Sequence, residues 1–287
     1  MLNPDPFEIT EPSVDAKFFN AKTTYEIPIT ITQIQFKEAF KSAEDMGRFI
    51  AMIENRIQMK ITLCNDALIM RTIVNLAATK INKGENVVNL LALYNATLPT
   101  TATPITAAEA YTNPDFLRFA SKTIALYKKY IQEASTLYNG GDYLTFTPED
   151  RLKFVVLSDF AKSMDAYLYS DTFHNEFVKL PGYDEVGFWQ GTGTANGDRS
   201  SINVKVADPT ETSGKATVSQ TGLVAVMFDE WAAMVCNQNY RTTSSYNPRG
   251  EYTNFFYKWD AHYLTDDNEN AIVFIIEDED DEDEDNG

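Results

Sequence analysis

Residues Gly191-Thr192-Gly193-Thr194-Ala195-Asn196-Gly197 have a glycine density that could let backbone amides wrap a phosphate. The run is one residue too long for the dinucleotide fingerprint. It also lacks the Lys-Ser/Thr ending of a nucleotide loop, and no helix-forming stretch follows it. It reads as a turn between strands. Two histidines, His174 and His262, are too few for a multi-histidine metal centre. Each reads as an ordinary surface or packing residue, His174 within a short helix and His262 on the polar face of a strand. Neither Cys64 nor Cys236 has a histidine beside it in sequence to activate a thiolate, and no Gly-x-Ser-x-Gly elbow occurs. With 42 acids in the chain, carboxylate pairs are everywhere, so no single pair points to acid–base catalysis. The sequence therefore nominates no catalytic residue, no metal ligand and no cofactor site, and the chain is expected not to be an enzyme.

Charge is more informative. The 287 residues carry 24 Lys+Arg against 42 Asp+Glu, a net charge of −18. Nine consecutive acids occupy 277–285; without them 33 acids face 24 bases, a net of −9. Such a block repels itself and is expected to be a disordered, solvated tail over 277–287. It lacks the mid-loop glycine and ligand spacing of a calcium-binding EF-hand. Acidity of this size argues against a nucleic-acid-binding face, which needs clustered Lys and Arg. Two cysteines are too few for a disulfide framework and suit a reducing compartment. The start of the chain lacks the basic and apolar regions of a signal peptide, and no uninterrupted apolar run is long enough for a membrane span.

Several elements would have to position whatever the chain does. Four prolines within 1–32 exclude helix there, and 25–31 alternates at period 2, so an extended arm or partial extended loop is expected. Ser42-Ala43-Glu44-Asp45 resembles a capping box. Apolar residues then recur at Met46, Phe49, Ile50, Ile53, Ile57, Ile61, Cys64 and Leu68, the helical period. The pattern predicts one helix over 43–83, roughly 60 Å long at 1.5 Å per residue. Its stripe drifts and lacks regular flanking charge pairs, so it reads as a spine across an elongated subunit rather than a coiled coil. A strand is expected at 85–94 and a Thr/Pro-rich connection at 97–106. Asn113 is expected to cap a helix that begins at Pro114 and buries Phe116, Leu117, Ala120, Ile124, Tyr127 and Ile131. An inner strand at 152–157 and helices at 158–169 and 172–178 follow. Strands are expected at 186–189, 202–206, 223–228, 231–235, 239–243, 252–264 and 271–276. In 252–264, Phe255, Tyr257, Trp259 and Tyr263 share one face and read as ribbon core. Strands 252–264 and 271–276 are expected to form a two-stranded element against the spine helix. Helices and strands are grouped rather than strictly alternating, which gives an α+β class.

The C-terminal third carries a resemblance. Leu223-Val224-Ala225-Val226-Met227-Phe228-Asp229-Glu230-Trp231 leads to Asn247-Pro248-Arg249-Gly250, the aromatic strand, and Asn270-Ala271-Ile272-Val273-Phe274. With Pro148-Glu149-Asp150 and 173–180 upstream, the set resembles the major capsid (major head) proteins of small short-tailed double-stranded-DNA phages over about residues 35–276.

This resemblance implies the capsid-shell fold shared by tailed phages, encapsulins and the herpesvirus capsid floor. A peripheral domain with a long spine helix and β-ribbon would map to 33–110 and 241–276, and a mixed α/β axial domain to 111–240. Family members carry an N-terminal arm and an extended loop before the spine helix. Here some 35–40 residues precede it, enough for part of that loop, so either the chain is a shortened or split version or neighbours are clasped differently. The implied function is structural. Copies would self-assemble as hexamers and pentamers into a closed head in the virion, built in the host cytoplasm with scaffolding and portal proteins. The head would enclose DNA without binding it specifically, and no membrane is involved. Asn247, Pro248, Arg249 and Gly250 are the assembly and turn candidates: Pro248 and Gly250 for turn geometry, and Arg249 either for a forked contact to a neighbour's carboxylate or as a solvated turn residue. An encapsulin-like compartment shell and a monomeric, non-enzymatic binding protein using the groove beside the spine helix are the alternatives.

Overall fold

Forty-one residues, Ala43–Lys83, form a single uninterrupted helix on which the rest of the chain is arranged. The computed structural model describes residues 22–39, 43–141, 143–169, 182–190 and 199–278. The expected cap at Ser42, the glycine run 191–197, the helix expected at 172–178 with His174, and residues 279–287 of the expected tail lie outside them. In chain order the elements are β1 (Lys22–Thr32), α1 (Gln33–Ala39), α2 (Ala43–Lys83), β2 (Val87–Asn89), α3 (Leu90–Thr97), α4 (Ala107–Ala110), α5 (Pro114–Ile131) and β3 (Leu152–Leu157). Then come α6 (Ser158–Tyr169), β4 (Asp184–Val186), β5 (Ile202–Ala207), β6 (Lys215–Gln220), β7 (Leu223–Asp229), β8 (Ala233–Asn247), β9 (Tyr252–Thr265) and β10 (Ala271–Ile275).

The ends of the helices follow local chemistry. At the C-terminus of α2, Gly84 adopts φ +66°, its N–H reaches Ile81 O at 3.0 Å, and Glu85 N–H reaches Lys80 O at 3.1 Å. That is the Schellman pattern, which satisfies the last carbonyls. Asn113 accepts from Asp115 N and Phe116 N ahead of Pro114, as the sequence predicts for α5. Asn89 does the same for Leu91 N and Ala92 N. That cap ends the strand expected over 85–94 after three residues and turns Leu90–Thr97 into α3.

A five-stranded sheet of order β2-β10-β7-β3-β4 forms the centre. Alternation sorts its side chains to two faces. Phe154, Val156, Ala225, Met227, Ile272 and Phe274 meet Phe116, Ile124 and Phe160 from α5 and α6. Val155, Leu157, Val226, Phe228, Val273 and Ile275 meet Val74, Leu76 and Ala77 from the second half of α2, together with the β5–β6 hairpin. A register shift between β10 and β7 keeps Val224 with the first set and Leu223 with the second. A third cluster joins Ile57 and Leu68 of α2 to Ile27, Trp259 and Ala261 of a three-stranded sheet, β1-β9-β8. By length and composition α2 could cross a membrane, but part of its apolar surface is buried in these two clusters, Val74, Leu76 and Ala77 in one and Ile57 and Leu68 in the other.

Three expectations need correction. β9 and β10 do not pair: β9 is the middle of the β1-β9-β8 sheet, while β10 lies between β2 and β7. The turn 266–269 sends the chain from one sheet to the other, because β10 is apolar throughout and is buried on both faces only inside the larger sheet. Residues 233–235 and 239–243 of the two expected strands belong to one strand, β8, which carries a bulge between Gln238 and Arg241. A cut at 240/241 therefore falls within β8, and the larger sheet combines strands from both sides of the expected domain boundaries. Finally, the first two acids of the C-terminal run are tied to the fold. Glu277 O accepts from Asn89 Nδ2 at 2.9 Å, Glu277 Oε2 from Gln220 Nε2 at 2.7 Å, and Asp278 Oδ1 from Ala107 N at 2.8 Å.

Candidate assembly surface

β1, β8 and β9 build a long ribbon. All eleven residues of β1 pair with β9, from Lys22 opposite His262 to Thr32 opposite Tyr252. The first half of α2 lies over the proximal part. There Trp259 is fully buried and stacks on Tyr25 at 5.2 Å between ring centroids, with Tyr257 and Tyr263 packed alongside. Phe255 is further out, opposite Ile29 and Ser244, half-buried and outside that cluster. Toward the tip, β8 is exposed from Gln238 through Tyr246.

The bulge in β8 has a definite structure. Asn239 takes a left-handed φ of +54°, and its Nδ2 donates to Asp260 Oδ2 at 3.2 Å. Arg241 forks onto the same carboxylate at 3.1 and 3.2 Å, and Thr24 Oγ1 donates from the opposite strand at 2.7 Å. Arg241 first, then Thr24 and Asn239, hold the Asp260 carboxyl well below the usual carboxylate range. One buried side chain on the middle strand thus fastens both its neighbours.

At the ribbon tip, Asn247 Oδ1 accepts from Arg249 N at 3.0 Å and Gly250 N at 3.2 Å, and Asn247 Nδ2 donates to the Tyr252 hydroxyl at 2.9 Å. Left-handed backbone falls at Glu251, φ +49°, rather than at Gly250. Gly250 is needed for space instead, since a Cβ there would come within 2.4 Å of the Tyr252 ring. Arg249 is exposed and has no ion-pair partner among the described residues.

The other motif residues converge elsewhere, at one end of the five-stranded sheet. Arg151 Nη2 donates to Asp229 at 2.9 Å, and its guanidinium lies 3.9 Å from the Trp231 ring centroid. Asp229 N donates to Asn270 O at 2.9 Å, and Asn270 Nδ2 to Thr147 Oγ1 at 3.1 Å. The start of β3, the end of β7 and the start of β10 are therefore joined by residues far apart in sequence. Beside this node, the fully buried Lys80 reaches Asp267 Oδ1 at 2.7 Å, and Lys83 grips the other oxygen. Burial pushes the Asp267 carboxyl up, but hydrogen bonds and charge from the two lysines prevail and leave it below its ordinary value. Burial first, then Asp229 and Asp266, push Glu269 up.

Sequence periodicity does not account for a row of exposed apolar residues on the outer face of α2: Met52, Met59 and Leu63, spaced seven and four residues apart. They are the helix neighbours of the buried stripe, distinguished from it by their exposure. Open grooves run along both sides of this half of α2, about 470 Å³ toward β8 and β9 and about 750 Å³ toward β1. No cluster of three or more His, Cys, Asp or Glu with metal-binding geometry occurs among the described residues.

A long helix spanning a central sheet and a projecting ribbon defines the tailed-phage capsid-shell fold. Among solved structures, the chain is similar to one from the capsid of Staphylococcus phage Andhra, with TM-score 0.57 and 10% identity over 90% of this chain and 71% of that one. It is also similar to one from a structure of the head fiber and inner core protein of native bacteriophage P68, with TM-score 0.54 and 11% identity over the same shares. No curated protein matches the sequence. The family described as Phi29-like phage major capsid protein matches residues 3–275, and the chain belongs to that family. It is a structural capsid subunit, a component of the phage virion that assembles with copies of itself.

Proposed function

We propose that copies of this chain assemble as hexamers and pentamers into a closed head around double-stranded DNA, without catalysing any reaction. Supporting this is the surface a lone subunit leaves uncovered: strand β8 exposed along its distal half, with Tyr240 and Tyr246, and the Met52–Met59–Leu63 row on α2. Surfaces of that kind mark interfaces on soluble proteins, and a shell lattice covers them. Within the lattice, the ribbon and the first half of α2 form the peripheral lobe, and the five-stranded sheet with its helices forms the axial lobe. Strands β2 and β10 go with the axial lobe. Arg249 at the tip donates a forked contact to a neighbour's carboxylate. A net charge of −18 lets the shell enclose DNA without holding it. Assembly takes place in the host cytoplasm with scaffolding and portal proteins.

Family membership favours a head over an encapsulin-like compartment or a monomeric binder using the grooves beside α2. Density-gradient analysis of particles from infected cells separates the first two. DNA-filled particles built from this chain are expected, and particles empty at every stage would favour the compartment.

A further inference from the structure

Among the described residues the ribbon has two open edges, and they are built differently. On β1, Pro28 pairs with Phe256 although it has no N–H to give, so the 28/256 pair is a non-hydrogen-bonded one. Pro28 therefore faces the outer edge, with Lys22 and Glu26 in the same outward row. Proline and charge are the usual guards of an exposed strand edge. The same alternation, carried across β9 by the pairs Phe256–Thr243 and Lys258–Arg241, turns the backbone groups of Thr242, Ser244 and Tyr246 outward from β8. That edge is less guarded, with the bulge at Asn239 at its proximal end. Over 240–247 it carries no proline and one charge, Arg241, and it is exposed from Tyr240 to Tyr246. The edges of the five-stranded sheet, β2 and β4, are only three residues each.

We infer that the distal edge of β8 pairs antiparallel with the same edge of a second copy, about a two-fold axis that sets Ser244 opposite Ser244. This rests on the shell function proposed above. The segment is self-complementary in that register. Thr242 falls opposite Tyr246 of the second copy, a β-branched and aromatic pair of the kind that stabilises sheets. Arg241 falls opposite Asn247, so the two arginines are never placed face to face. Two three-stranded ribbons become one six-stranded sheet, and the outward amides of both copies are satisfied. A two-fold contact of this type is isologous and joins subunits in pairs.

Cysteine cross-linking in assembled shells tests the register. A hydrogen-bonded antiparallel pair sets Cα atoms about 5.5 Å apart, within disulfide range. In a Cys64→Ser, Cys236→Ser background, shells of Ser244→Cys are expected to give a disulfide-linked dimer on a non-reducing gel after mild oxidation. Shells that oxidise without that dimer overturn the pairing. If the variant does not assemble, hydrogen exchange on the unaltered protein decides. The amides of Thr242, Ser244 and Tyr246 are expected to slow by about a hundredfold or more between free subunit and shell. Unchanged exchange overturns the inference, and protection without the Ser244 cross-link means that a different strand covers the edge and also overturns it. A chain that forms no shells under any condition refutes the shell function itself, and this pairing falls with it.

Discussion

Arg241 and Asp260 meet across the bulge of β8 in a forked pair, 3.1 and 3.2 Å, with the carboxylate nearly buried on the middle strand of the ribbon. Because Thr24 and Asn239 donate to the same group, the pair fixes the register of all three strands rather than adding a surface ion pair. Asp260→Ala is expected to lower the melting temperature of the unassembled subunit clearly. Arg241→Ala and Asp260→Ala should be non-additive in a double-mutant cycle, since removing either leaves the other without its partner. Additive effects would mean that the two residues act independently.

Gly222 offers a sharper case. Its φ is +68°, and a Cβ there would lie 1.9 Å from the carbonyl oxygen of Ile276, whose N–H in turn donates to Gly222 O at 2.8 Å. Gly222→Ala must both strain the backbone and separate the start of β7 from the end of the chain's last buried segment. The expected cost is on the order of 2–4 kcal/mol, read by urea denaturation. A cost below about 0.5 kcal/mol would show that the close approach is relieved at no expense.

The acidic run divides after its second residue. Glu277 and Asp278 bond to Asn89, Gln220 and Ala107, so a chain ending at Asp278 retains every one of those contacts. Truncation after Asp278 is expected to leave the melting temperature unchanged. Truncation after Ile276 is expected to lower it by an amount consistent with losing hydrogen bonds of about 1 kcal/mol each.

Acid should loosen the fold in a defined direction. Asp260 and Asp267 have folded pKa values below those of the unfolded chain, so their contribution is complete above the ordinary carboxylate range of about 4. It is lost as pH falls and the unfolded chain takes up protons that the folded one resists. Glu269, pushed up mainly by burial, has the opposite sign: its charge opposes folding at neutral pH, and protonation relieves that. Melting curves should therefore show Glu269→Gln stabilised at pH 7 relative to the parent. The Asp260→Asn variant should lose less stability than the parent between pH 5 and pH 2.

Elements set by local periodicity were legible in the sequence. The spine helix, the Asn113–Pro114 cap, the inner strand Leu152–Leu157 and the alternation of β9 each need only nearest-neighbour chemistry. What depended on distant partners was not. Val87 through Tyr94 is apolar enough for one strand, and only the Asn89 side chain turning onto Leu91 and Ala92 breaks it. The hairpin strand β6 is short and polar, and no strand is expected there from the sequence pattern. The pairing of β10 with β2 and β7, rather than with its sequence neighbour β9, follows from burial on two faces that the smaller sheet cannot provide. At the assembly surface, the ribbon tip was marked by Asn247-Pro248-Arg249-Gly250. The Asp260 node was hidden, because its donors come from Thr24, Asn239 and Arg241 on two other strands. The outward row Met52, Met59 and Leu63 reads like any other apolar positions until their exposure is seen.

That this chain is a shell-forming subunit is tested most directly by sizing the purified protein and imaging the same fractions by electron microscopy. Closed shells of uniform diameter, in equilibrium with or derived from smaller oligomers, are the expected result. A stable monomer of 32.4 kDa at every concentration and ionic strength would contradict it.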